Sequence, residues 1–204
     1  MAIIDYSFEQ RDHEWYEARL GNPGCSSISN IIGAKGEISK SREGYLYTLA
    51  AEAISRRSDE KYQSIHMING TEREEGARAF FEMLYDCDVK TCGIVWRDEF
   101  KLYHCSPDGL IEDHALLEMK NPLGKTVVKN LLAGALPSEY FVQCQSSLYI
   151  CERELLYFMS YYDGLPPMII EVHRDEAFIS KLALALSDFV VELAQVVAKL
   201  KAMT

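Results

Sequence analysis

Apolar residues along the chain follow two different spacings. Some stretches carry them three or four residues apart, which predicts helices, and others alternate apolar with polar, which predicts strands. We predict helices over residues 10–20, 26–32, 44–57, 71–85, 124–134, 138–151 and 176–202, with residues 58–69 irregular. We predict strands over residues 92–97, 101–105, 116–120, 155–162 and 168–174. Strands in the middle of the chain with helices on both sides indicate a layered α/β or α+β fold.

The chain shows no sign of division into parts. No internal repeat, low-complexity tract or Pro/Gly/Ser-rich linker interrupts it, and 204 residues suit one domain with a sizeable core. We therefore expect residues 1–204 to form a single domain. A near-helical apolar stripe over residues 182–200 is interpreted as a terminal helix packed on the core.

The charge balance restricts the function classes. The chain has 21 Lys and Arg residues against 31 Asp and Glu residues, a formal net charge of −10. Because neutralising phosphates needs Lys and Arg, this argues against a protein that coats nucleic acid nonspecifically. It does not exclude an enzyme whose basic groups are confined to one cleft or channel. The chain has no run of about 18 apolar residues and no basic signal-peptide start, so we expect no membrane span and a cytoplasmic location.

Six cysteines are scattered along the chain, at positions 25, 87, 92, 105, 144 and 151. No C-x-x-C pair occurs, which disfavours a zinc ribbon. An iron–sulfur cluster is not excluded, although the usual clustered triplet is absent. We expect reduced, mostly buried thiols that pack as small hydrophobic side chains.

The central chemical feature is Asp108 followed by Glu118 and Lys120. Residues two apart on a strand face the same side, so Glu118 and Lys120 project together while Met119 points into the core. Asp108 lies in a Pro-Asp-Gly turn signal after the preceding predicted strand and can reach the same point. Two carboxylates offer oxygen ligands suited to Mg²⁺, and the Met119 carbonyl could add another. A lysine beside the metal can orient the attacking water, or deprotonate it if its surroundings lower its pKa.

These parts suffice for phosphodiester hydrolysis. The same residues also fit a plain hairpin with a solvated Asp-Gly turn and an exposed Glu–Lys pair, because such turns are very common. The motifs around them decide between the two interpretations.

The sequence resembles the family of the phage lambda exonuclease and its YqaJ-type relatives, a branch of the PD-(D/E)XK nuclease superfamily. The matching motifs keep the family's order and approximate spacing across residues 12–150. They lie at residues 15–21, 70–78, 97–99, 105–110, 118–122 and 140–145. The resemblance implies a restriction-endonuclease-like core, in which a central mixed β-sheet is flanked by helices.

The resemblance also implies roles for individual residues. Asp108 and Glu118 would hold two Mg²⁺ ions, for which Mn²⁺ can substitute, with Glu74 on the long helix as a further acid near the metals. The alternative for Glu74 is a solvated helix residue among neighbouring glutamates. A glutamine would orient water or substrate, and because Gln143 and Gln145 point about 200° apart on a helix, only one can face the site. By register with the family we expect Gln143.

The family also binds a DNA end. The resemblance assigns Arg19, Ser26 and Ser106 to a pocket for the terminal 5′-phosphate, which an arginine can contact through two hydrogen bonds. For Arg19 the alternative is a surface ion pair, and for Ser26 a helix N-cap. Met67 matches an apolar wedge at the duplex end, or is a loop residue packed on the core. Lys125 is the nearest candidate for a basic residue after the Glu-x-Lys strand.

The function implied is Mg²⁺-dependent 5′→3′ degradation of one strand of linear double-stranded DNA, leaving 3′ overhangs for phage-type recombination in a bacterial host cell. The family assembles as a ring-shaped homotrimer around DNA and commonly works with a single-strand annealing protein. Two alternatives stay open. One is a different PD-(D/E)XK nuclease, Cas4-like or junction-cleaving, and the other is a non-catalytic DNA-binding protein that retains the fold.

Overall fold

A computed structural model describes residues 1–58 and 65–203, with the backbone alone over residues 65–73. Its helices are α1 (His13–Arg19), α2 (Arg42–Ser55), α3 (Ile65–Tyr85), α4 (Gly124–Ala133), α5 (Phe141–Cys151) and α6 (Glu176–Lys201). Its strands are β1 (Ile3–Asp5), β2 (Val89–Lys90), β3 (Ile94–Trp96), β4 (His104–Cys105), β5 (Gly109–Ile111), β6 (Ala115–Lys120), β7 (Leu155–Ser160) and β8 (Met168–His173). Short 3₁₀ helices cover Cys25–Asn30 and Ser138–Tyr140.

The central sheet has five strands in the order β2-β5-β6-β7-β8. β6 and β7 are parallel and the other neighbouring pairs are antiparallel, so the sheet is mixed. Two parallel neighbours need a crossover connection, and α4 and α5 provide it between β6 and β7. The predicted fold, a central mixed sheet flanked by helices, is confirmed.

Strand β6 is buried because helices cover both of its faces. Leu116 packs in a core with residues of α2, α5 and α6. Met119 packs in a second core with Ala77 and Phe81 of α3. Because alternate residues of a strand share a face, Glu118 lies on the α5 side with Leu116. Helices α5 and α3 therefore approach the predicted chemical residues from opposite faces of the sheet.

A second, three-stranded antiparallel sheet has the order β1-β3-β4. Helix α1 packs on it through Trp15, which is buried against Ile94 and Trp96. A parallel bridge between Gly24 and His104 joins the segment after α1 to β4. This small sheet therefore holds α1 next to the segment that leads from β4 into β5.

The turn predicted at residues 107–109 is a bend at Asp108 and not the tip of a hairpin. Gly109 begins β5, which pairs with β6 from Gly109–Leu117 to Ile111–Ala115. The chain turns after β5 instead, where Glu112 takes a φ of 46°. Close packing explains the glycine, since a Cβ at position 109 would lie 2.2 Å from Cγ1 of Val89.

Other differences concern element boundaries. Helix α3 begins at Ile65, six residues before the predicted start, so the predicted irregular segment does not extend through residue 69. The 3₁₀ helix at Cys25–Asn30 has Gly24 as its N-cap, where Ser26 or Ser27 was expected. Strands β1, β2 and β5, each of two or three residues, were not predicted.

The terminal helix packs on the core as predicted. Leu182, Leu186, Phe189 and Leu193 of α6 are buried, and the Asp175 side chain caps the helix by accepting a hydrogen bond from the backbone of Phe178. No helix in the part of the chain that the structure describes, α6 included, has the length and apolar character needed to cross a membrane.

The cysteines agree with the expectation of reduced thiols. All six are free, and five are buried while Cys87 is half-buried. Burial raises the pKa of Cys92 to about 12, as expected for a thiol packed among apolar groups.

We expect Gly109→Ala to destabilise the protein by about 2 kcal/mol, because overpacking a rigid backbone site forces neighbouring groups apart. Urea unfolding measures the change. Gly76→Ala is the matched control, since a Cβ added there on α3 meets nothing within 4 Å. The control should be neutral or stabilise by up to about 1 kcal/mol. Equal effects of the two substitutions would show that contact with Val89 does not explain Gly109.

Candidate active site

Asp108 is positioned by the end of the β5–β6 ladder. The last residue pair of that ladder is Gly109 with Leu117, so β6 runs three residues further to Lys120 without a partner on that side. The Asp108 side chain takes the place of the missing strand, because its Oδ2 accepts a 2.6 Å hydrogen bond from the backbone N–H of Met119. The Asp108 carboxylate is thereby fixed beside Glu118 and Lys120.

Glu118 and Lys120 lie together, as the alternation of the strand predicts. The Nζ of Lys120 is 2.6 Å from Oε1 of Glu118. The same oxygen accepts a 2.6 Å hydrogen bond from Nε2 of Gln143 on α5. Glu118 is only 4% exposed, so its charge depends on these two donors.

The structure decides which glutamine faces this cluster. Gln143 donates to Glu118, whereas the buried Gln145 donates to the carbonyl of His173 and accepts from the backbone N–H of Asp175, both at 2.8 Å. Gln145 therefore joins the end of β8 to the start of α6, away from the carboxylates. The expected Gln143 occupies the site.

The pKa values of the Asp108 and Glu118 carboxyl groups are both raised. Burial, followed by the charge of Glu118, raises the pKa of Asp108 to about 8. Burial also raises the pKa of Glu118, against the lowering effect of Lys120. Burial alone would lower the pKa of Lys120, but the charges of Glu118 and Asp108 outweigh it and raise that pKa. The surroundings of Lys120 therefore raise its pKa, and its ammonium group donates to Glu118.

Glu74 lies on α3 at the edge of a cleft of about 470 Å³ that Asp108 also lines. Its carboxylate is held by an unpredicted residue, because Nη2 of Arg11 donates to Oε1 at 2.9 Å and to Oε2 at 2.7 Å. One helical turn on, Arg78 lines the same cleft and its Nε donates to the Asp108 carbonyl at 3.4 Å. Glu74 therefore faces the site but points its oxygens at an arginine.

The donor set fits a divalent cation. Asp108 and Glu118 are oxygen donors held side by side at raised pKa, and a nearby cation would favour their charged forms. The Met119 carbonyl shares the open strand edge with the Met119 N–H, since both groups of a strand residue point to one side. In the described residues, however, no three His, Cys, Asp or Glu side chains converge closely enough to hold an ion as they stand. Glu118 and Glu74 are turned toward Lys120 and Arg11 instead.

Arg19 and Ser106 meet through Trp15. The Cζ of Arg19 lies 3.9 Å from the centre of the Trp15 ring, and Nε1 of Trp15 donates to Oγ of Ser106 at 2.9 Å. Ser26 is exposed, whereas its neighbour Ser27 lines a pocket of about 270 Å³ together with Arg19. The pocket therefore brings Arg19 together with Ser27, and Trp15 connects Arg19 with Ser106.

This pocket also contains residues that the sequence did not single out. Among those lining it are Asn22, Tyr45, Arg56, Arg57 and His104. His104 is buried, and its Nδ1 has no hydrogen-bond partner. Burial, with the nearby charge of Arg19, lowers the pKa of His104 to about 3, so it is a neutral group beside the arginines.

Two predicted residues remain, Met67 and Lys125. Met67 lies outside the residues whose side chains the structure describes. Lys125 is exposed on the first turn of α4.

A mixed sheet between helices, with Asp108 at a strand end beside Glu118-x-Lys120, defines the PD-(D/E)XK class of fold. Within that class the sequence is more specific, because residues 14–154 match the family described as a YqaJ-like viral recombinase domain. The chain belongs to this family. No curated protein sequence matches the chain itself.

Solved structures agree with this classification. An alkaline exonuclease from Laribacter hongkongensis, LHK-Exo, superposes with a TM-score of 0.84 and 28% identity over 94% of this chain and 97% of its own. The structure of the same enzyme in complex with dAMP gives the same TM-score, identity and coverage. A phage-related exonuclease from Haemophilus somnus shares the fold, with a TM-score of 0.68 and 15% identity over 88% of this chain and 96% of its own.

We expect Asp108→Asn to stabilise the metal-free protein at pH 8 by roughly 5 kcal/mol, at about 1.4 kcal/mol for each unit by which the pKa of Asp108 is raised. A carboxyl whose folded-state pKa is raised from about 4 to about 8 destabilises the fold progressively between those pH values, and the amide has no such charge. Urea unfolding in a chelator at pH 5 and pH 8 measures the difference, which should be smaller at pH 5. Asp163→Asn, which removes an exposed carboxylate, is the control. A gain that does not grow with pH would contradict the raised pKa.

Proposed function

We propose that this protein is a Mg²⁺-dependent exonuclease that degrades one strand of linear double-stranded DNA from a 5′-phosphorylated end in the 5′→3′ direction, leaving a 3′ overhang. One observation carries the proposal. Within three consecutive residues, Ser106 contacts the Trp15 that supports Arg19, and Asp108 contacts the strand of Glu118 and Lys120. A group suited to a terminal phosphate and a group suited to a metal thus share one short segment.

The carboxylates of Asp108, Glu118 and Glu74, with the Met119 carbonyl, are the proposed ligands for two Mg²⁺ ions, and Mn²⁺ would substitute. A bound divalent ion would polarise a phosphoryl oxygen and lower the pKa of a bound water. We assign Lys120 to orienting the attacking water or a phosphoryl oxygen, because its Nζ lies beside Glu118 at the same point of the site. Gln143 orients the same group from α5, since its amide reaches the oxygen of Glu118 that Lys120 also reaches.

End recognition is assigned to the pocket beside Arg19. A guanidinium binds a phosphate monoester through paired hydrogen bonds, and the stacking on Trp15 fixes its plane. Hydroxyl groups of Ser26 or Ser27 and Ser106 would add neutral hydrogen bonds. Binding a terminal phosphate favours cleavage from an end over cleavage within a strand.

The acidic net charge is compatible with DNA binding because basic groups gather near the two sites. Arg11 and Arg78 line the cleft of Asp108, and Arg56 and Arg57 line the pocket of Arg19. We propose that copies of the chain form a homotrimeric ring around DNA, with such groups inward and acidic surfaces outward. We also propose that the protein acts in the cytoplasm of a host bacterium, with a single-strand annealing protein as its partner. Met67 is the proposed wedge at the duplex end.

A nuclease assay tests the proposal. Four substrates should be compared in Mg²⁺: 5′-phosphorylated linear duplex, 5′-hydroxyl linear duplex, single strand and closed circle. We expect nucleotide release to be fastest from the phosphorylated duplex and absent from the circle. Cleavage of the circle would favour a junction-cleaving or Cas4-like activity, and no cleavage of any substrate would favour a non-catalytic DNA-binding protein.

Glu118→Gln and Lys120→Ala should each lower the rate by at least about a hundredfold, because each removes a group placed at the reacting phosphate. The rate of nucleotide release under saturating DNA measures this. Gln143→Ala should lower the rate more than Gln145→Ala, because of these two glutamines only Gln143 contacts Glu118. Full activity in Glu118→Gln would remove Glu118 from the proposed site.

Arg19→Gln should abolish the preference for a 5′-phosphate over a 5′-hydroxyl end while leaving slow cleavage of both. The reason is that the variant loses the charged partner of the phosphate but keeps the carboxylates. Arg42→Gln is the matched control, since Arg42 forms an ion pair with Glu192 that joins α2 to α6. A preference that survives in Arg19→Gln would show that the phosphate binds elsewhere.

A further inference from the structure

The segment between β1 and α1 reaches the cleft, although its sequence carries no motif. Gln10 donates from Nε2 to the carbonyl of Pro107 at 2.8 Å and to that of Cys92 at 3.1 Å. Pro107 is the residue before Asp108. The segment is therefore fastened to the backbone that positions one of the proposed metal ligands.

The next residue, Arg11, is held in an uncommon backbone conformation. Its φ is 77°, in the left-handed region that residues other than glycine rarely adopt. Such conformations persist where surrounding contacts impose them, and they concentrate at functional sites. Here Arg11 lies in a turn closed by the hydrogen bond from the Asp12 N–H to the Glu9 carbonyl, and its side chain makes the double hydrogen bond to Glu74.

The ion pair uses both oxygens of Glu74. Nη2 of Arg11 lies 2.9 Å from one oxygen and 2.7 Å from the other. The Glu74 side chain is 24% exposed, so water screens this ion pair only in part. The same cleft contains Asp108, and its wall at that end is formed by Glu74, Arg11 and Arg78.

Basic side chains offset two of the proposed metal ligands, Glu118 and Glu74. Lys120 offsets Glu118 at 2.6 Å, and Arg11 offsets Glu74. A divalent ion shared by Asp108 and Glu74 needs at least one Glu74 oxygen, and it would be repelled by a guanidinium bound to that carboxylate. Arg11 and the ion therefore cannot both use Glu74 fully.

We propose that Arg11 competes with one of the two divalent ions for Glu74 and so sets the affinity of that ion's site. In the metal-free protein Arg11 holds the carboxylate, and binding of the ion displaces it. Arg11 is thus a positioning residue that acts through Glu74. The inference rests on the proposed function only in taking Glu74 as a metal ligand.

Calorimetric titration of the DNA-free protein with Mn²⁺ tests this. We expect the weaker of two sites to bind Mn²⁺ roughly fivefold more tightly, or better, in Arg11→Gln than in the wild type, because the variant removes a competing ion pair. Arg11→Lys keeps the charge and should lie closer to the wild type. Arg42→Gln removes an arginine of the same kind of pair, at 2.6 Å from Glu192, and should change nothing.

A second background shows whether the effect passes through Glu74. Glu74→Gln should lose the weaker site, and Arg11→Gln added to it should cause no further change in Mn²⁺ binding. Circular dichroism confirms that each variant is folded. Unchanged or weaker binding in Arg11→Gln alone would overturn the inference, the latter by showing that Arg11 only helps to hold Glu74 in place.

The outcomes separate this inference from the proposed function. A wild type that cleaves DNA, with Mn²⁺ affinity unaltered in Arg11→Gln, overturns the role of Arg11 and leaves the exonuclease standing. Tighter binding in Arg11→Gln without cleavage of any DNA supports competition at Glu74 and overturns the exonuclease. If neither protein binds Mn²⁺, both proposals fail.

Discussion

The site depends on the place where β5 stops pairing with β6. Because the ladder ends at Gly109 and Leu117, the last three residues of β6 have an open edge within the sheet. The Asp108 side chain closes that edge through the N–H of Met119. One hydrogen bond therefore satisfies a backbone donor and fixes a carboxylate beside Glu118, so a shift in this register would separate the acids.

Bringing carboxylates together in a buried place costs free energy, and the protein offsets it with a set of donors. Lys120 and Gln143 share one oxygen of Glu118, and Arg11 takes both oxygens of Glu74. Asp108 has the least support, which agrees with its pKa of about 8. A cation bound at this place would favour the charged forms of Asp108 and Glu118.

The segment from β4 to β5 connects the two proposed sites over a short distance. Ser106 accepts a hydrogen bond from Trp15, which stacks against Arg19, while Asp108 accepts one from Met119 of β6. A displacement of this segment would disturb the proposed phosphate pocket and the proposed metal site together. The buried thiol of Cys105 at its start packs in the large core, which gives the segment a fixed base.

The sequence by itself determined what depends on local geometry. The period of a strand places Glu118 and Lys120 on one side, and the period of a helix allows only one of Gln143 and Gln145 to face the site. The family resemblance also identified the mixed sheet flanked by helices. Only the tertiary structure placed Asp108 before a strand rather than at the tip of a hairpin, and only it joined Arg11 to Glu74 across 63 residues and Trp15 to Ser106 across 91. Contacts of that kind form when distant segments pack against each other, and neighbouring residues in the sequence carry no periodic signal for them.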